Sequence, residues 1–144
     1  MSKRSSRPKR GPEPALTAAS PCPCGLPAAY GECCGRFHSG EEYAPTAELL
    51  MRSRYSAFVA QDEAYLLRTW HPATRPQQLE LDPGMQWTGL EILATTGGSS
   101  FHSLGTVTFR ARYRHHGKRG ALHEHSTFER QHGVWVYVEG TFVE

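Results

Sequence analysis

All four cysteines of the chain lie within thirteen residues, in the stretch PCPCGLPAAYGECCG. One residue separates Cys22 from Cys24, and Cys33 is adjacent to Cys34. Two close pairs of thiols joined by a short loop can surround one zinc ion, which takes four ligands in a tetrahedron with sulfur at about 2.3 Å. The spacing therefore predicts one structural zinc per chain, held by all four cysteines. A closed site of this kind leaves no position for a reacting water, so we expect no catalysis at the metal.

Two other uses of the cysteines fit this sequence less well. Two disulfides would need an oxidising compartment, and a redox dithiol is more typical of a Cys-x-x-Cys pair beside a βαβ unit. The apolar run Ala15–Ala19 is shorter than the roughly 7–15 residues of a signal peptide, so we expect a cytoplasmic protein with reduced thiols. His38 lies four residues after Cys34 and is a candidate replacement for one cysteine as a zinc ligand.

The basic charge of the chain is concentrated at its start. The first twenty residues hold five lysines and arginines against one glutamate, a net charge of +4, while the whole chain of 144 residues carries +2. We expect residues 1–19 to form a disordered basic tail, either a solvated leader or a weak tether to nucleic acid or the ribosome. The rest of the chain has no strong nucleic-acid signature, and no segment approaches the ~20 apolar residues of a membrane span.

Two helices are predicted after a linker at residues 40–45. Thr46 is a suitable N-cap, and the residues Ala47, Met51, Tyr55 and Phe58 recur at helical spacing as one apolar face. Arg52 and Arg54 are expected off that face. Asp62 is a suitable cap for a second helix that includes Trp70 and ends before Pro72.

Everything from Trp87 onward has the pattern of β-strands, in the segments WTGLEILA, GTVTFRARY, ALHEHSTFER and VWVYVEG. A two-residue hairpin loop at His132-Gly133 would pair Arg130 with Trp135, Phe128 with Tyr137 and Ser126 with Glu139. The earlier turn is expected to pair Tyr113 with Leu122, which places Ala111 opposite Glu124.

This register predicts one mostly apolar sheet face with a carboxylate, Glu124, in its middle. A buried carboxylate is costly unless it is paired or protonated, so Arg52, Arg54 or His71 is expected to meet it. Three interpretations stay open, namely a structural ion pair, a polar group in a ligand pocket, and a different register. The predicted pocket residues are Glu124, Ser126, Phe128, Tyr113, Tyr137, Arg54 and Trp70.

The cysteine stretch resembles the SEC-C zinc motif, which ends the SecA translocation ATPase and is known there for contacts with the SecB chaperone and the ribosome. The shared features are Cys-Pro-Cys-Gly, the aromatic Tyr30, and Cys-Cys-Gly. The resemblance implies the same four ligands and a protein or ribosome partner for the knuckle. The sequence departs from the motif where Gly-Leu-Pro replaces Gly-Ser-Gly and where Ala28-Ala29 replaces a usually basic pair, which removes positive charge.

The body is similar to the middle domain of the YchJ family, through LMRSRYSAFV, YLLRTWHP, WTGLEIL, GTVTFRARY and LHEHSTFERQHGVWVYVEG. With the motif in front, the resemblance covers roughly residues 20 to 142. It implies an α+β fold like nuclear transport factor 2, a cone of helices packed on a bent antiparallel sheet over residues 45–144. A small zinc knuckle at residues 20–39 precedes it, and we expect the knuckle to contribute little to the main core.

We interpret the chain as a zinc-binding module. In this hypothesis the knuckle recruits a partner and the cone binds a small ligand or supports the knuckle. The alternative is an isomerase-, dehydratase- or hydrolase-like enzyme in the cone, with His71, Glu124, Tyr55 and His123 as candidate acid–base groups. The histidines of the last strands are expected at the surface, although His123 and His125 share a face and a second metal site is conceivable.

Overall fold

The computed structural model describes residues 16–144. Residues 1–15 of the predicted tail lie outside this range. The helical elements are a 3-10 turn at Tyr30–Glu32, α1 at Cys34–His38, α2 at Ala47–Ala60 and α3 at Glu63–Arg68. The strands are β1 at Met85–Gly97, β2 at Leu104–His115, β3 at Lys118–Gln131 and β4 at Val134–Phe142. Over residues 16–144, no helix has both the length and the apolar character needed to cross a membrane.

Helix α2 begins where the sequence predicts, because the Thr46 hydroxyl accepts a hydrogen bond from the Leu49 amide. The prediction that Arg54 lies off the buried face is wrong. Its side chain is only 3% exposed, and Ser53 and Ser56 beside it are fully buried. The reason is that α2 is central: it contacts the sheet, α3 and α1. A helix with three neighbours buries polar positions that a two-layer amphipathic pattern would leave in solvent.

Helix α3 is shorter than predicted. The Asp62 carboxylate caps it by accepting from the Tyr65 amide, but the helix ends at Arg68 and excludes Trp70. The chain then runs beside β4, where the Tyr137 amide donates to the Thr69 carbonyl and the His71 amide donates to the Tyr137 carbonyl. These bonds bring Trp70 against the sheet as an extended residue.

The four strands form an antiparallel sheet in the order β1-β2-β3-β4. Register shifts interrupt the pairing at Trp87/Gly89, Ile92/Ala94 and Thr127/Phe128, and such bulges bend a sheet and increase its twist. Helix α2 packs on the resulting concave face, with contacts to β1, β2 and β4. The main core there includes Val107, Phe109, Ala111, Phe128 and Trp135. The predicted α+β cone is confirmed.

The first hairpin turn is tighter than predicted. It consists of two residues, His116 and Gly117, both with positive φ, whereas a longer turn was expected. Tyr113 therefore pairs with Gly120 instead of Leu122, and Glu124 lies opposite Phe109 instead of Ala111. The error is two residues, and an even shift returns every side chain to the same face of the sheet.

The second hairpin has the predicted two-residue loop at His132-Gly133. Arg130 pairs with Trp135 and Phe128 pairs with Tyr137. The predicted pairing of Ser126 with Glu139 is wrong, because the bulge opposite Thr127 and Phe128 inserts one extra residue, Val138, into β4. Ser126 instead lies opposite Gly140.

Candidate metal centre and cone cavity

The four cysteines form one buried cluster. Their sulfur atoms all lie within 4.8 Å of one another, and the Sγ atoms of Cys24 and Cys33 are 3.7 Å apart. Sulfurs at the corners of a tetrahedron around zinc, at about 2.3 Å from the metal, are separated by about 3.8 Å. The Cys24–Cys33 pair has this separation, and the four sulfurs together could hold a metal ion. Within residues 16–144 it is also the one group of three or more metal-ligating side chains close enough to share an ion.

The protonation of these thiols is strongly interdependent. Burial of Cys33 and repulsion from Cys24 raise the pKa of the Cys33 thiol to about 12. Hydrogen bonds with Cys22 and Cys24, together with burial, raise the pKa of the Cys34 thiol. Hydrogen bonds that Cys22 receives from Cys24 and Cys34 lower the pKa of the Cys22 thiol. One thiolate forms readily in this arrangement, and the others need a bound cation to balance their charge, so that metal binding displaces protons.

His38 is not positioned as a ligand, because both of its ring nitrogens have other partners. Nε2 lies 2.8 Å from the carbonyl oxygen of Ser53, and Nδ1 lies 2.6 Å from the Tyr30 hydroxyl. A carbonyl only accepts, so Nε2 carries the proton and donates to Ser53, and the Tyr30 hydroxyl donates to Nδ1. His38 therefore connects the cysteine segment to α2.

Further contacts fasten the knuckle to the cone. Arg52 on α2 donates to the Cys24 carbonyl at 2.8 Å, and the hydroxyl of Ser56 lies 3.7 Å from the sulfur of Cys22. Phe37 of α1 is only 2% exposed and belongs to the main core, where burying a side chain of this size stabilises a fold by roughly 1.5–3 kcal/mol. The other buried residues of the main core begin at Ala44, so the knuckle contributes one side chain to it.

Part of the segment assigned to the tail also contacts the knuckle. Thr17 and Ser20 form a hydrogen-bonded turn, the Gly31 amide donates to the Ala18 carbonyl at 3.0 Å, and the Tyr30 amide donates to the Ser20 carbonyl at 2.7 Å. The hydrogen-bonded knuckle thus includes residues that the sequence placed before it.

The second feature is a cavity of about 200 Å³ between α2, Trp70 and the concave face of the sheet. It is lined by Met51, Arg54, Tyr55, Phe58, Trp70, Trp87, Phe109, Ala111, Leu122, Glu124, Ser126 and Tyr137. Five of the seven predicted pocket residues are in this set, and so is Tyr55.

The other two predicted pocket residues and the acid–base candidate His71 lie elsewhere. Phe128 is in the closed core beside the cavity, with its ring 5.8 Å from that of Tyr137. Tyr113 covers Gly120 at one end of the sheet, because glycine leaves room for its ring. Nε2 of His71 is 3.2 Å from a carboxylate oxygen of Glu129, outside the cavity lining, so His71 does not meet Glu124.

Arg54 also forms no ion pair with Glu124. Its Nη1 donates to the Leu66 carbonyl at 2.8 Å and to the Thr69 hydroxyl at 2.7 Å. The guanidinium lies 4.4 Å from the ring centroid of Tyr137 and 5.0 Å from that of Trp70. Within the described part of the chain it has no carboxylate partner within 4.0 Å. The predicted helix-to-sheet ion pair is therefore wrong.

The polar end of the cavity converges on Gly140. A Cβ atom built at Gly140 would lie 2.9 Å from a Glu124 carboxylate oxygen, 3.0 Å from the Ser126 hydroxyl and 3.1 Å from the Tyr137 hydroxyl. Burial raises the pKa of Glu124. Among residues 16–144, Ser126 Oγ and Trp70 Nε1 are the two buried side-chain atoms without a hydrogen-bond partner, and both residues line the cavity.

Sequence reasoning missed the aromatic wall at the other end. The ring centroid of Trp87 is 6.1 Å from that of Tyr55 and 5.9 Å from that of Phe58. Its helical spacing predicts Phe58 on the apolar face of α2. The contact of Phe58 with Trp87 could not be predicted, because it depends on the bulge after Trp87.

The two candidate histidines of β3 lie outside the cavity. His123 pairs with Arg110, and His125 bonds to the Thr108 hydroxyl at 2.8 Å. Both occupy register positions that alternate with the cavity residues.

Comparison with known proteins identifies the family. Residues 46–140 match the family described as YchJ, middle NTF2-like domain. The chain is 66% identical over 139 residues to a UPF0225 protein of Streptomyces avermitilis, covering 96% of this chain and 93% of that one. It is 55% identical over 119 residues to a UPF0225 protein of Corynebacterium glutamicum, covering 83% and 94%. The chain belongs to the YchJ family.

Two solved structures are similar. A SEC-C motif containing protein from Rhodopseudomonas palustris, determined in solution, superposes with a TM-score of 0.76 at 32% identity over 85% of this chain and 98% of that one. A crystal structure of a SEC-C motif containing protein from Psychrobacter arcticus gives a TM-score of 0.70 at 29% identity, covering 88% and 85%. These likenesses support the arrangement of a cysteine knuckle in front of the cone.

Proposed function

We propose that this member of the YchJ family is a binding protein whose cone cavity receives a small organic ligand, with one zinc ion as a structural part of the fold. The observation that carries the proposal is the pair of unpartnered buried atoms, Ser126 Oγ and Trp70 Nε1, in residues that line the same cavity. A buried polar atom without a partner destabilises a fold by about 1–3 kcal/mol. A ligand that hydrogen-bonds to both atoms removes that penalty.

The size of the cavity limits the ligand. An engineered apolar cavity of about 150 Å³ in another protein takes up benzene, so a cavity of about 200 Å³ fits one ring or a short chain with a small head group. Aromatic side chains with a few convergent polar groups are the usual composition of such sites.

Zinc has a structural role in this proposal. Four buried sulfurs that all bind one zinc ion would leave no open coordination position. The ion would hold the Cys22–Cys24 and Cys33–Cys34 pairs together, and through Arg52 and His38 it would fix the knuckle on α2, the helix that supplies Arg54 and Tyr55 to the cavity.

A fragment screen by NMR tests the cavity. The side-chain indole signals of Trp70 and Trp87 report on its two ends, and Trp135, whose indole donates to the Pro45 carbonyl outside the cavity lining, is an internal reference. We expect several single-ring fragments to shift the first two signals and to leave Trp135 unchanged. A library in which no compound moves Trp70 or Trp87 would rule out a ligand cavity.

An enzyme is the second candidate, and the observation in its favour is Glu124. A carboxyl whose pKa is raised by burial, beside a cavity, has one property of a general acid or base. Tyr55 also lines the cavity, but its hydroxyl is engaged with the Gly89 backbone, and His71 is paired with Glu129. Turnover of any fragment that binds, lost in Glu124→Gln with binding retained, would establish this alternative.

A protein or ribosome partner for the knuckle is a separate proposal. With one side of the knuckle packed on α2, the loop residues Gly25, Pro27 and Ala28 remain exposed. This loop carries no basic side chain. Cosedimentation with cytoplasmic ribosomes, compared between the parent and Ala28→Glu, tests it; equal recovery of both proteins in the supernatant contradicts it.

A further inference from the structure

The cavity has two chemically different ends. At one end, the rings of Tyr55 and Phe58 pack around Trp87. At the other end, Tyr137 has Arg54 over its ring and lies beside Trp70, whose ring centroid is 5.0 Å away. A complementary ligand therefore has an apolar body and one polar head group.

The charge at the polar end decides the class of head group. Arg54 is 3% exposed, and burial lowers its pKa to about 10, so the guanidinium is still protonated at neutral pH. Its Nη1 contacts a carbonyl and a hydroxyl, which are neutral. The acidic group that lines the same cavity, Glu124, is disfavoured in its charged form by burial. Among the described residues, this buried cation therefore has no carboxylate partner within 4.0 Å.

Hydrogen-bonding capacity favours the same class of ligand. The indole nitrogen of Trp70 can only donate, and its N–H lacks a partner among residues 16–144. The unpartnered Ser126 hydroxyl and the Tyr137 hydroxyl can each donate as well. Several donors beside a buried cation match the acceptor-only chemistry of an anion, as in charge-assisted hydrogen bonding.

We propose that the cavity binds a small monocarboxylate, with the carboxylate directed to Arg54, Trp70 and Ser126 and the apolar body against Trp87. This inference rests on the proposed ligand cavity and adds the chemical class of the ligand. A cationic ligand would bring a second positive charge to Arg54 within the cavity, and a neutral one would leave that charge unbalanced.

Three probes of nearly equal size test the class: benzoate, benzyl alcohol and benzylammonium, each titrated into the zinc-loaded full chain at the same pH and ionic strength. We expect benzoate to shift the indole signals of Trp70 and Trp87, to leave Trp135 unchanged, and to bind about tenfold or more tightly than benzylammonium. The Trp70 N–H signal should move as expected for a new hydrogen bond. Equal or tighter binding of benzylammonium or benzyl alcohol overturns the carboxylate proposal, whereas the cavity proposal fails only if no probe moves Trp70 or Trp87.

A matched pair of variants locates the head group. Gly140→Ala adds a methyl group among the Glu124, Ser126 and Tyr137 oxygens, while Gly89→Ala adds one to open space in β1. We expect Gly140→Ala to weaken benzoate binding by about fivefold or more, the equivalent of one lost hydrogen bond, with Gly89→Ala unchanged. Ser126→Ala provides a second measurement if Gly140→Ala is poorly folded. Unchanged benzoate affinity in whichever of these two variants is folded contradicts the assigned position.

Discussion

His38 donates a hydrogen bond from Nε2 to the carbonyl oxygen of Ser53, 2.8 Å away, and this bond joins the knuckle to the middle of α2. Its other ring nitrogen accepts from Tyr30, so one imidazole connects two parts of the chain. His38 is also enclosed by aromatic rings, with the centroid of Tyr65 at 4.6 Å. The knuckle and the cone therefore share a polar contact that neither half could satisfy alone.

This contact predicts the behaviour of His38→Ala. We expect the variant to keep its full metal content and to lose about 2–3 kcal/mol of unfolding free energy, because two hydrogen bonds disappear and Tyr30 loses its acceptor. Metal analysis and urea denaturation measure the two effects. His125→Ala, which removes a single bond to Thr108, is the control with a smaller loss. Loss of metal in His38→Ala with little change in stability would make His38 a ligand after all.

The cysteine cluster predicts one equivalent of zinc in protein purified without added metal. Cys33→Ser should lose the ion and at least about 3 kcal/mol of stability, because structural zinc sites contribute folding free energy outright. Elemental analysis and thermal unfolding check both. In the parent protein, a strong chelator should lower Tm and added zinc should restore it. A Cys33→Ser protein that is free of metal but as stable as the parent would show that the contacts of the knuckle do not depend on the ion.

Two buried serines are expected to respond to alanine in opposite directions. Ser126 Oγ has no partner, so Ser126→Ala should raise the unfolding free energy of the ligand-free protein by about 1 kcal/mol. Ser53 Oγ donates to the Leu50 carbonyl and accepts from the Tyr65 hydroxyl at 2.7 Å, so Ser53→Ala should cost about 1–3 kcal/mol by leaving Tyr65 unpaired. Urea denaturation of both variants tests the pair. A loss of stability in Ser126→Ala without added ligand would show that the hydroxyl is satisfied in the folded protein.

The correct sequence predictions concern features that residues close together in the sequence determine. The N-caps at Thr46 and Asp62 are each determined by a few neighbouring residues, and both are present. The predicted sheet face of each β3 side chain is correct although the predicted register at the first turn is wrong by two residues, because an even shift keeps every residue on its face. The family resemblance, carried by the cysteine stretch and the strand segments, is confirmed.

The failures share a non-local cause. The burial of Arg54 follows from the third neighbour of α2, which no helical periodicity encodes. The bulge that places Gly140 opposite Ser126 depends on how β4 fits the bent sheet. The ion pair predicted for Glu124 was based on the cost of burying a charge, but a carboxyl can also meet that cost by staying protonated.

Glu124 supplies the last prediction, on the dependence of stability on pH. Burial raises the pKa of Glu124 in the folded protein above its value in the unfolded chain. The unfolded chain therefore ionises first as pH rises, so the group lowers the unfolding free energy between its unfolded and folded pKa values, and the loss persists at higher pH. Glutamine cannot ionise, so Glu124→Gln should be more stable than the parent at about pH 8, with a difference that shrinks as pH falls towards the unfolded pKa of about 4.5. Since Arg54 has no ion pair with Glu124, the substitution leaves no cation newly unpaired.

Urea denaturation of both proteins across this pH range gives the difference directly, and any loss of metal in acid cancels because the cysteine cluster is common to both. The neighbouring groups, Arg54, Tyr137 and Glu139, are also unchanged in the comparison. Glu139→Gln, at an exposed position on β4, is the matched control for the loss of one carboxylate. A Glu124→Gln protein that is less stable than the parent at pH 8 would mean that the carboxylate is ionised and paired, and it would restore the ion pair that the sequence predicted.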